Sequence, residues 1–186
     1  MNLKNLKHCN NCNLSKLRTN VVSGCGNKKS NLIFVGEAPG KNEDAEGKPF
    51  VGRAGKILDK MLKLAEISRE SIYITNIVKC RPPENRNPNK NEILCCSKLL
   101  KYEIQDLKPK YVITLGNYAT RFFLKDNSVQ ISKVHGIKQK VDFEWYDNGS
   151  LFIYPVYHPA ALIYDRHKMK QAESFFIKLK EIKNFS

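Results

Sequence analysis

Four short runs of apolar, largely β-branched residues constrain this chain more than any other feature: Leu32–Val35, Ile72–Val78, Tyr111–Leu115 and Phe152–Tyr157. Such residues fit a pleated, half-buried or buried surface. Unbroken apolar runs of this length suit strands covered on both faces. The segments between them have helical period. Ile57, Leu58, Met61, Leu62 and Ala65 follow the spacing i, i+1, i+4, i+5, i+8, and Ile93, Leu94, Leu99, Leu100 and Ile104 suggest a second helix, interrupted near its start. Phe122 to Leu124, and Phe175, Phe176, Leu179 and Ile182, suggest two more. Strands alternating with helices predict an α/β domain with a mainly parallel sheet between helical layers. A more extended piece around Val129–Trp145 reads as a hairpin with a turn at Asp147–Gly149. With no repeat and no Pro- or Ser-rich linker, the 186 residues make a single domain, 1–186.

The polar residues that punctuate these runs point to one site. Run one ends in Gly36-Glu37-Ala38-Pro39-Gly40, and run two carries Asn76 and then Cys80-Arg81-Pro82-Pro83. Run three ends in Gly116-Asn117, and run four in His158-Pro159-Ala160-Ala161. Open α/β sheets bind ligands beyond the carboxyl ends of their strands. Here every strand has a Gly, Asn, His or carboxylate at that end.

Charge and cysteine usage narrow the chemistry. Lys and Arg number 32 against 18 Asp and Glu, a formal charge of +14, which favours a polyanion such as nucleic acid over an anionic membrane. A lysine-filled surface gives the same excess without any such partner. No apolar run is long enough to span a bilayer and Met1–Cys12 holds no secretory apolar stretch, so a soluble, cytoplasmic protein is expected. Six cysteines in a reducing compartment speak for metal ligation, redox chemistry or burial rather than disulfides. Cys9-x-x-Cys12 has the spacing of a chelating pair, and two further cysteines would complete four thiolates.

The individual motifs each carry two readings. Gly36–Asp44 is a glycine-bounded turn with the carboxylates Glu37, Glu43 and Asp44. It matches neither GxxxxGK[ST] nor GxGxxG, so it is a ligand-approaching turn or simply a solvated one. Phe50, between Pro49 and Gly52, is a stacking platform for a base or a core residue. Asn76 has an amide that both donates and accepts, as a pyrimidine edge requires, or else it satisfies nearby backbone. His158 before Pro159 can donate to a developing anion or be structural. Leu162 is an exposed wedge for a base stack or core packing.

GEAPGKNEDAEGKPFVGRAGK (Gly36–Lys56), ITNIVKCRPPENRNP (Ile74–Pro88) and YHPAAL (Tyr157–Leu162) together resemble the family 4, iron–sulfur uracil-DNA glycosylases. The resemblance runs from about Cys9 to the last helix. It implies a four-stranded parallel sheet sandwiched by helices, and a [4Fe–4S] cluster on Cys9, Cys12, Cys80 and Cys96, leaving Cys25 and Cys95 spare. Zn²⁺ on the same four cysteines is the alternative. It implies hydrolysis of the N-glycosidic bond of a deoxyuridine flipped out of DNA, single- or double-stranded, leaving an abasic site in base excision repair. Phe50 would stack on uracil and Asn76 read its N3/O4 edge. Glu43 would exclude the 5-methyl of thymine, and backbone amides around Glu37–Gly40, Ala38 included, would hold the base. His158 would stabilise the uracil anion. Glu37 would orient the water, with Asp44 second, because Ala38 occupies the place where many superfamily members carry Asp or Asn. Leu162 would fill the vacated space, while Lys79, Arg81 and Arg86 would grip phosphates.

Two details refine this resemblance. Family members commonly carry Arg where this chain has His135. The DNA-crosslinking branch inserts a basic loop before its Cys-Arg-Pro block, and Ile74–Cys80 has no such insertion, which favours turnover over covalent capture. A non-catalytic iron–sulfur DNA-binding module, such as a polymerase accessory domain, is the competing reading, and a metal–thiolate electron carrier a remote third. A monomer is expected. No residue speaks for or against contact with a replication clamp.

Overall fold

A computed structural model describes residues 3–181. In chain order its main elements are β1 (Cys25–Gly26), β2 (Leu32–Gly36), α1 (Lys41–Glu46), α2 (Arg53–Leu64), β3 (Tyr73–Asn76), α3 (Lys90–Leu107), β4 (Tyr111–Leu115), α4 (Asn117–Leu124), α5 (Ile131–Val134), β5 (Gln139–Val141), β6 (Leu151–Val156), α6 (Pro159–Leu162) and α7 (Arg166–Glu181). Each of the four apolar runs supplies one of the strands β2, β3, β4 and β6. These form a continuous parallel block in the order β3-β2-β4-β6. The sheet is wider than the resemblance implies. β1 adds antiparallel to β3 and β5 antiparallel to β6, giving six strands. Both edge strands are two or three residues long, which limits the unpaired edge they expose.

Alternate residues of the central strands enter two separate apolar layers. In β2, Ile33 and Val35 pack with α3 and α4 through Leu99, Leu100, Ala119 and Phe123. Leu32 and Phe34 pack on the other side with Leu58, Leu62, Phe175 and Phe176 of α2 and α7. This is the expected three-layer sandwich, and both strand faces are buried because both are covered.

Several boundaries differ from those read in the sequence. α3 runs unbroken for 18 residues, started by Asn89, whose Oδ1 accepts from the Glu92 N–H at 2.9 Å while Glu92 accepts from the Asn89 N–H at 2.8 Å. That reciprocal cap holds the first turn that the apolar spacing left irregular. The Val129–Trp145 stretch begins with the one-turn α5, and only Gln139–Val141 of it joins β6 as a hairpin arm. Ile182 lies outside the described residues. No described helix is long and apolar enough to cross a membrane.

The strand order fixes the site. The chain leaves β2 for β3 on one side of it, then returns to β4 on the other, so the strand order reverses at β2. A crevice opens at the carboxyl end of such a strand. Glu37–Gly40 leads out of that end.

Candidate active site

A pocket of about 280 Å³ lies at this crevice. Glu37, Ala38, Pro39 and Gly40 come from the turn after β2, Asn76 from the end of β3, and His158 and Ala160 from the turn after β6. Phe50, Glu43 and Ala54 close one side, and Pro82, Asn85, Arg86 and Asn87 the other. Residues singled out at three of the four strand ends, those of β2, β3 and β6, and in the Gly36–Gly52 segment therefore converge, while Gly116 and Asn117 after β4 lie outside the lining.

Asn76 is 2% exposed, yet its Oδ1 has no hydrogen-bond partner. A buried orphan acceptor of this kind costs roughly 1–3 kcal/mol, and nearly all such atoms in folded proteins are paired. Gly36 lets the amide come this close: a Cβ there would lie 2.4 Å from Asn76 Oδ1 and 2.6 Å from Phe50 Cζ. The backbone N–H groups of Ile77 and Val78 donate to the carbonyls of Gly36 and Glu37, at 2.9 and 3.0 Å, which fixes the reader beside the turn.

Phe50 adopts φ +54°, a left-handed conformation that costs a non-glycine residue about 1 kcal/mol or more. Its surroundings impose that conformation. Glu43 Oε1 accepts from the N–H groups of Val51 and Gly52, at 3.0 and 2.7 Å, and Oε2 from that of Gly40 at 3.1 Å. Arg69, which no sequence motif singles out, donates to the carbonyls of Pro49 and Phe50 at 2.8 and 2.9 Å. Gly55 must be glycine, since a Cβ would stand 1.9 Å from the Phe50 carbonyl oxygen. The Phe50 and His158 rings then face each other across the pocket wall, centroids 5.9 Å apart.

The two candidate catalytic groups sit in opposite protonation regimes. Burial alone raises the Glu37 carboxyl from its ordinary 4.5 to about 7. Burial also lowers His158 to about 4, a drop that the Glu43 charge only partly opposes. At neutral pH the imidazole is therefore uncharged. His158 Nδ1 accepts from the Ala160 N–H at 3.2 Å, so the ring proton resides on Nε2. Gly116 makes room behind it: at φ +90° a Cβ would approach His158 Cβ to 3.0 Å.

A second, much smaller cavity, about 10 Å³, lies beside Cys80. Cys9 and Cys12, from a C-x-x-C turn between two short 3₁₀ helices, meet Cys80 after β3 and Cys95 and Cys96 on α3 around it, with Leu6, Val78 and Leu99 as apolar lining. The Lys79 N–H donates to Cys96 Sγ at 3.2 Å and Arg18 Nη1 to Cys80 Sγ at 3.4 Å. Burial pushes the Cys96 thiol up to about 12 and Cys80 upward too, with Arg18 opposing the latter. Among the described residues no three His, Cys, Asp or Glu side chains gather closely enough to hold a single metal ion.

Comparison with known proteins matches this geometry. Residues 23–180 fit the family described as the uracil DNA glycosylase superfamily. The type-4 uracil-DNA glycosylase of Saccharolobus solfataricus is 43% identical over 178 residues, 95% of this chain and 82% of that protein. The chain belongs to the uracil-DNA glycosylase superfamily, in its type-4 branch. Membership makes it a glycosylase, an enzyme of DNA repair. The type-4 enzyme of Thermotoga maritima is 42% identical over 161 residues, 87% of this chain and 81% of that one. A DNA polymerase of Bacillus phage SP01 is 33% identical over 172 residues, 91% of this chain but 17% of the polymerase.

In this glycosylase several residues expected to contact DNA have partners within the protein. Lys79 is 1% exposed, and its Nζ donates to Glu103 Oε2 at 2.6 Å, Thr75 Oγ1 at 2.5 Å and the Asn76 carbonyl at 2.8 Å. It holds the reader strand and reaches no phosphate. Leu162 is 3% exposed and packs in the core beside α2 and α7, where an exposed side chain was expected. Arg86 does line the pocket, but its guanidinium grips Glu92 in a fork at 2.7 and 2.9 Å, offsetting its charge. Arg81 is half-buried, lies outside the pocket lining and donates to Asn85 Oδ1 at 2.8 Å. Asp44 is likewise occupied: its carboxylate accepts from the N–H groups of Thr19 and Asn20 at 3.0–3.2 Å, which removes it as a water-handling group. His135 stacks on Tyr157 at 4.3 Å and accepts from its N–H, outside the pocket lining.

Proposed function

We propose that the chain hydrolyses the N-glycosidic bond of deoxyuridine in DNA, single- or double-stranded, releasing uracil and leaving an abasic site, and that it works as a monomer beside the chromosome in the cytoplasm. The observation that carries the assignment of residues is the buried, unpartnered Asn76 Oδ1. Uracil N3–H supplies the donor it lacks, and the Asn76 amide N–H₂ donates to uracil O4. Phe50 stacks on the base. Glu43, held by three backbone donors, forms the wall that a 5-methyl group would press against, and the backbone of Glu37–Gly40 closes the rest.

As the glycosidic bond lengthens, positive charge grows on the sugar and negative charge on uracil O2. The neutral His158 donates through Nε2–H to that oxygen, which makes uracil a better leaving group. Preorganised donors of this kind contribute roughly 10²–10³ in rate. Glu37, once ionised, takes a proton from the attacking water and faces the sugar cation. One incubation checks the reading: a labelled oligonucleotide with a single uracil should break at that position after alkali, and its thymine counterpart should stay intact. Asn76→Ala should slow single-turnover release by about 10-fold or more, as expected for loss of 1–3 kcal/mol of recognition. Binding without cleavage would leave a DNA-binding module instead.

The donor set suits a [4Fe–4S] cluster: Cys9, Cys12, Cys80 and Cys96 all line the second cavity, with Cys95 beside them, and four thiolates are the usual ligands of such a cluster. The N–H donors on Cys80 and Cys96 suit thiolates. Cys9, Cys12, Cys80 and Cys96 would hold the cluster, and when bound it supplies thiolate–iron links that staple the N-terminal segment to residues 80–96. Hydrolysis needs no electron transfer. Anaerobically purified protein should be brown, absorb near ~400 nm and carry about four irons per chain. A colourless, zinc-loaded protein would refute this part alone.

A further inference from the structure

Pro82, Asn85, Arg86 and Asn87 line the pocket from a loop whose regular structure is a single 3₁₀ turn, Pro83–Asn85. Inside that turn Glu84 and Asn85 both stand at φ +56°. Two consecutive left-handed residues that are not glycine persist only where their surroundings impose them. Two arginines do so here. Arg81 Nε donates to Asn85 Oδ1 at 2.8 Å. Arg86 Nη1 donates to the Asn87 carbonyl at 2.9 Å and, together with Nη2, makes the fork on Glu92. Glu92 is 4% exposed and lies outside the pocket lining. Its carboxylate accepts from Arg86 and from the Asn89 N–H, in the first turn of α3, the helix that also carries Cys95 and Cys96. The fork therefore fastens a strained loop wall to a long helix.

A bidentate arginine–carboxylate pair fixes orientation as well as distance. Committed to it, Arg86 is a strut of the wall rather than a free cation. We propose that Glu92 is a positioning residue for substrate binding: through Arg86 it holds the Asn85–Asn87 wall in place before the flipped nucleotide enters. Without the fork the strained turn relaxes, and each binding event must first restore the wall. Glu37 and His158 stand on the turns after β2 and β6, so the chemical step is left as it was. This deepens the glycosylase reading above and rests on it.

Single-turnover uracil release from a labelled oligonucleotide, followed over a range of enzyme concentrations with proteins matched for iron, tests it by separating half-saturation from the rate at saturation. Glu92→Gln keeps the size of the side chain and an acceptor for the Asn89 N–H but loses the charged fork. Its half-saturating concentration should rise about tenfold, as expected if the competent wall falls to about a tenth of the molecules. Its rate at saturation should stay within about twofold of wild type, the pattern of lost binding rather than lost transition-state contact. Arg86→Lys keeps the positive charge but cannot make the fork, and should raise half-saturation to a similar degree. Asn89→Ala removes the other half of the helix cap and leaves the fork, so its thermal midpoint should fall with half-saturation unchanged. If Glu92 merely neutralised a phosphate-binding Arg86, Glu92→Gln would bind DNA more tightly, the reverse sign. That result, an unchanged half-saturation, or an equal rise in Asn89→Ala overturns the inference. A lysine variant that saturates like wild type does so too, whether or not Glu92→Gln folds. If wild type releases no uracil, the glycosylase reading itself fails. Release by wild type with unmoved half-saturation in the variants sinks the positioning role alone.

Discussion

Glu37→Gln should slow uracil release by roughly 10²–10⁴-fold, the usual contribution of a positioned general base, and at the same time raise thermal stability above neutral pH. Both effects come from one fact: burial alone places this carboxyl at about 7. The reaction uses the ionised form. The wild-type kcat/KM should therefore rise about tenfold per pH unit below that value and level off above it. His158, at about 4, is already neutral across this range and adds no second limb. In Glu37→Gln the residual rate should lose this pH dependence.

The stability effect has the opposite sign. A carboxyl whose folded pKa exceeds its unfolded value of 4.5 binds its proton more tightly when folded, so it opposes folding increasingly as pH rises through about 7. Glutamine removes that cost. Melting curves of the two proteins should coincide near pH 4.5 and separate by pH 8, with the glutamine variant the more stable. If the variant melts lower at pH 8, or if its rate keeps a step near 7, Glu37 is not the group that handles the water.

The pocket was legible because its chemistry sits where strands end. Apolar runs mark strands, and Gly36, Asn76, Gly116 and His158 mark their carboxyl ends. Edge strand β1 was not, since two residues at Cys25–Gly26 carry too little periodicity to stand out, whereas β5 falls within the longer extended stretch read at Val129–Trp145. The burial of Lys79 was missed for a different reason. Lysine reads as a surface cation, and whether one is buried depends on a partner distant in sequence. Lys79 finds Glu103, 24 residues on. A signal did exist, because Glu103 shares a helical face with Leu99, Leu100 and Leu107, all buried. An acid on an apolar stripe implies a buried base elsewhere. Leu162 and Tyr164 show the same limit: the first ends α6 and is buried, the second lies two residues on and is exposed, and no local pattern distinguishes them.

Glu103→Ala should be among the most destabilising single changes in the molecule that leave every cysteine and pocket residue in place. Its carboxylate accepts from Lys79 Nζ at 2.6 Å, Thr75 Oγ1 at 2.9 Å, the Tyr73 hydroxyl at 2.8 Å and the Gly24 N–H at 3.2 Å. One side chain of α3 thus binds β3 at two positions, the residue before β1, and the lysine that holds the Asn76 carbonyl. Truncation leaves Lys79 buried with no counter-charge, a change that typically costs ~3–5 kcal/mol. For a domain of this size that corresponds to a melting point lower by roughly 6–20 °C. Lys79→Met in the Glu103→Ala background should recover part of the loss, because it removes the stranded charge; the double-mutant cycle measures how much. Iron content should be matched across the series, since Lys79 adjoins Cys80. The Asn76 carbonyl loses an anchor in the double variant, so uracil release should stay slow even where stability returns. Stability and reading of the base would then separate in one experiment. A fall in melting point of less than about 2 °C on Glu103→Ala would mean that the sheet and α3 hold together without this pair, and that Asn76 is positioned by its strand alone.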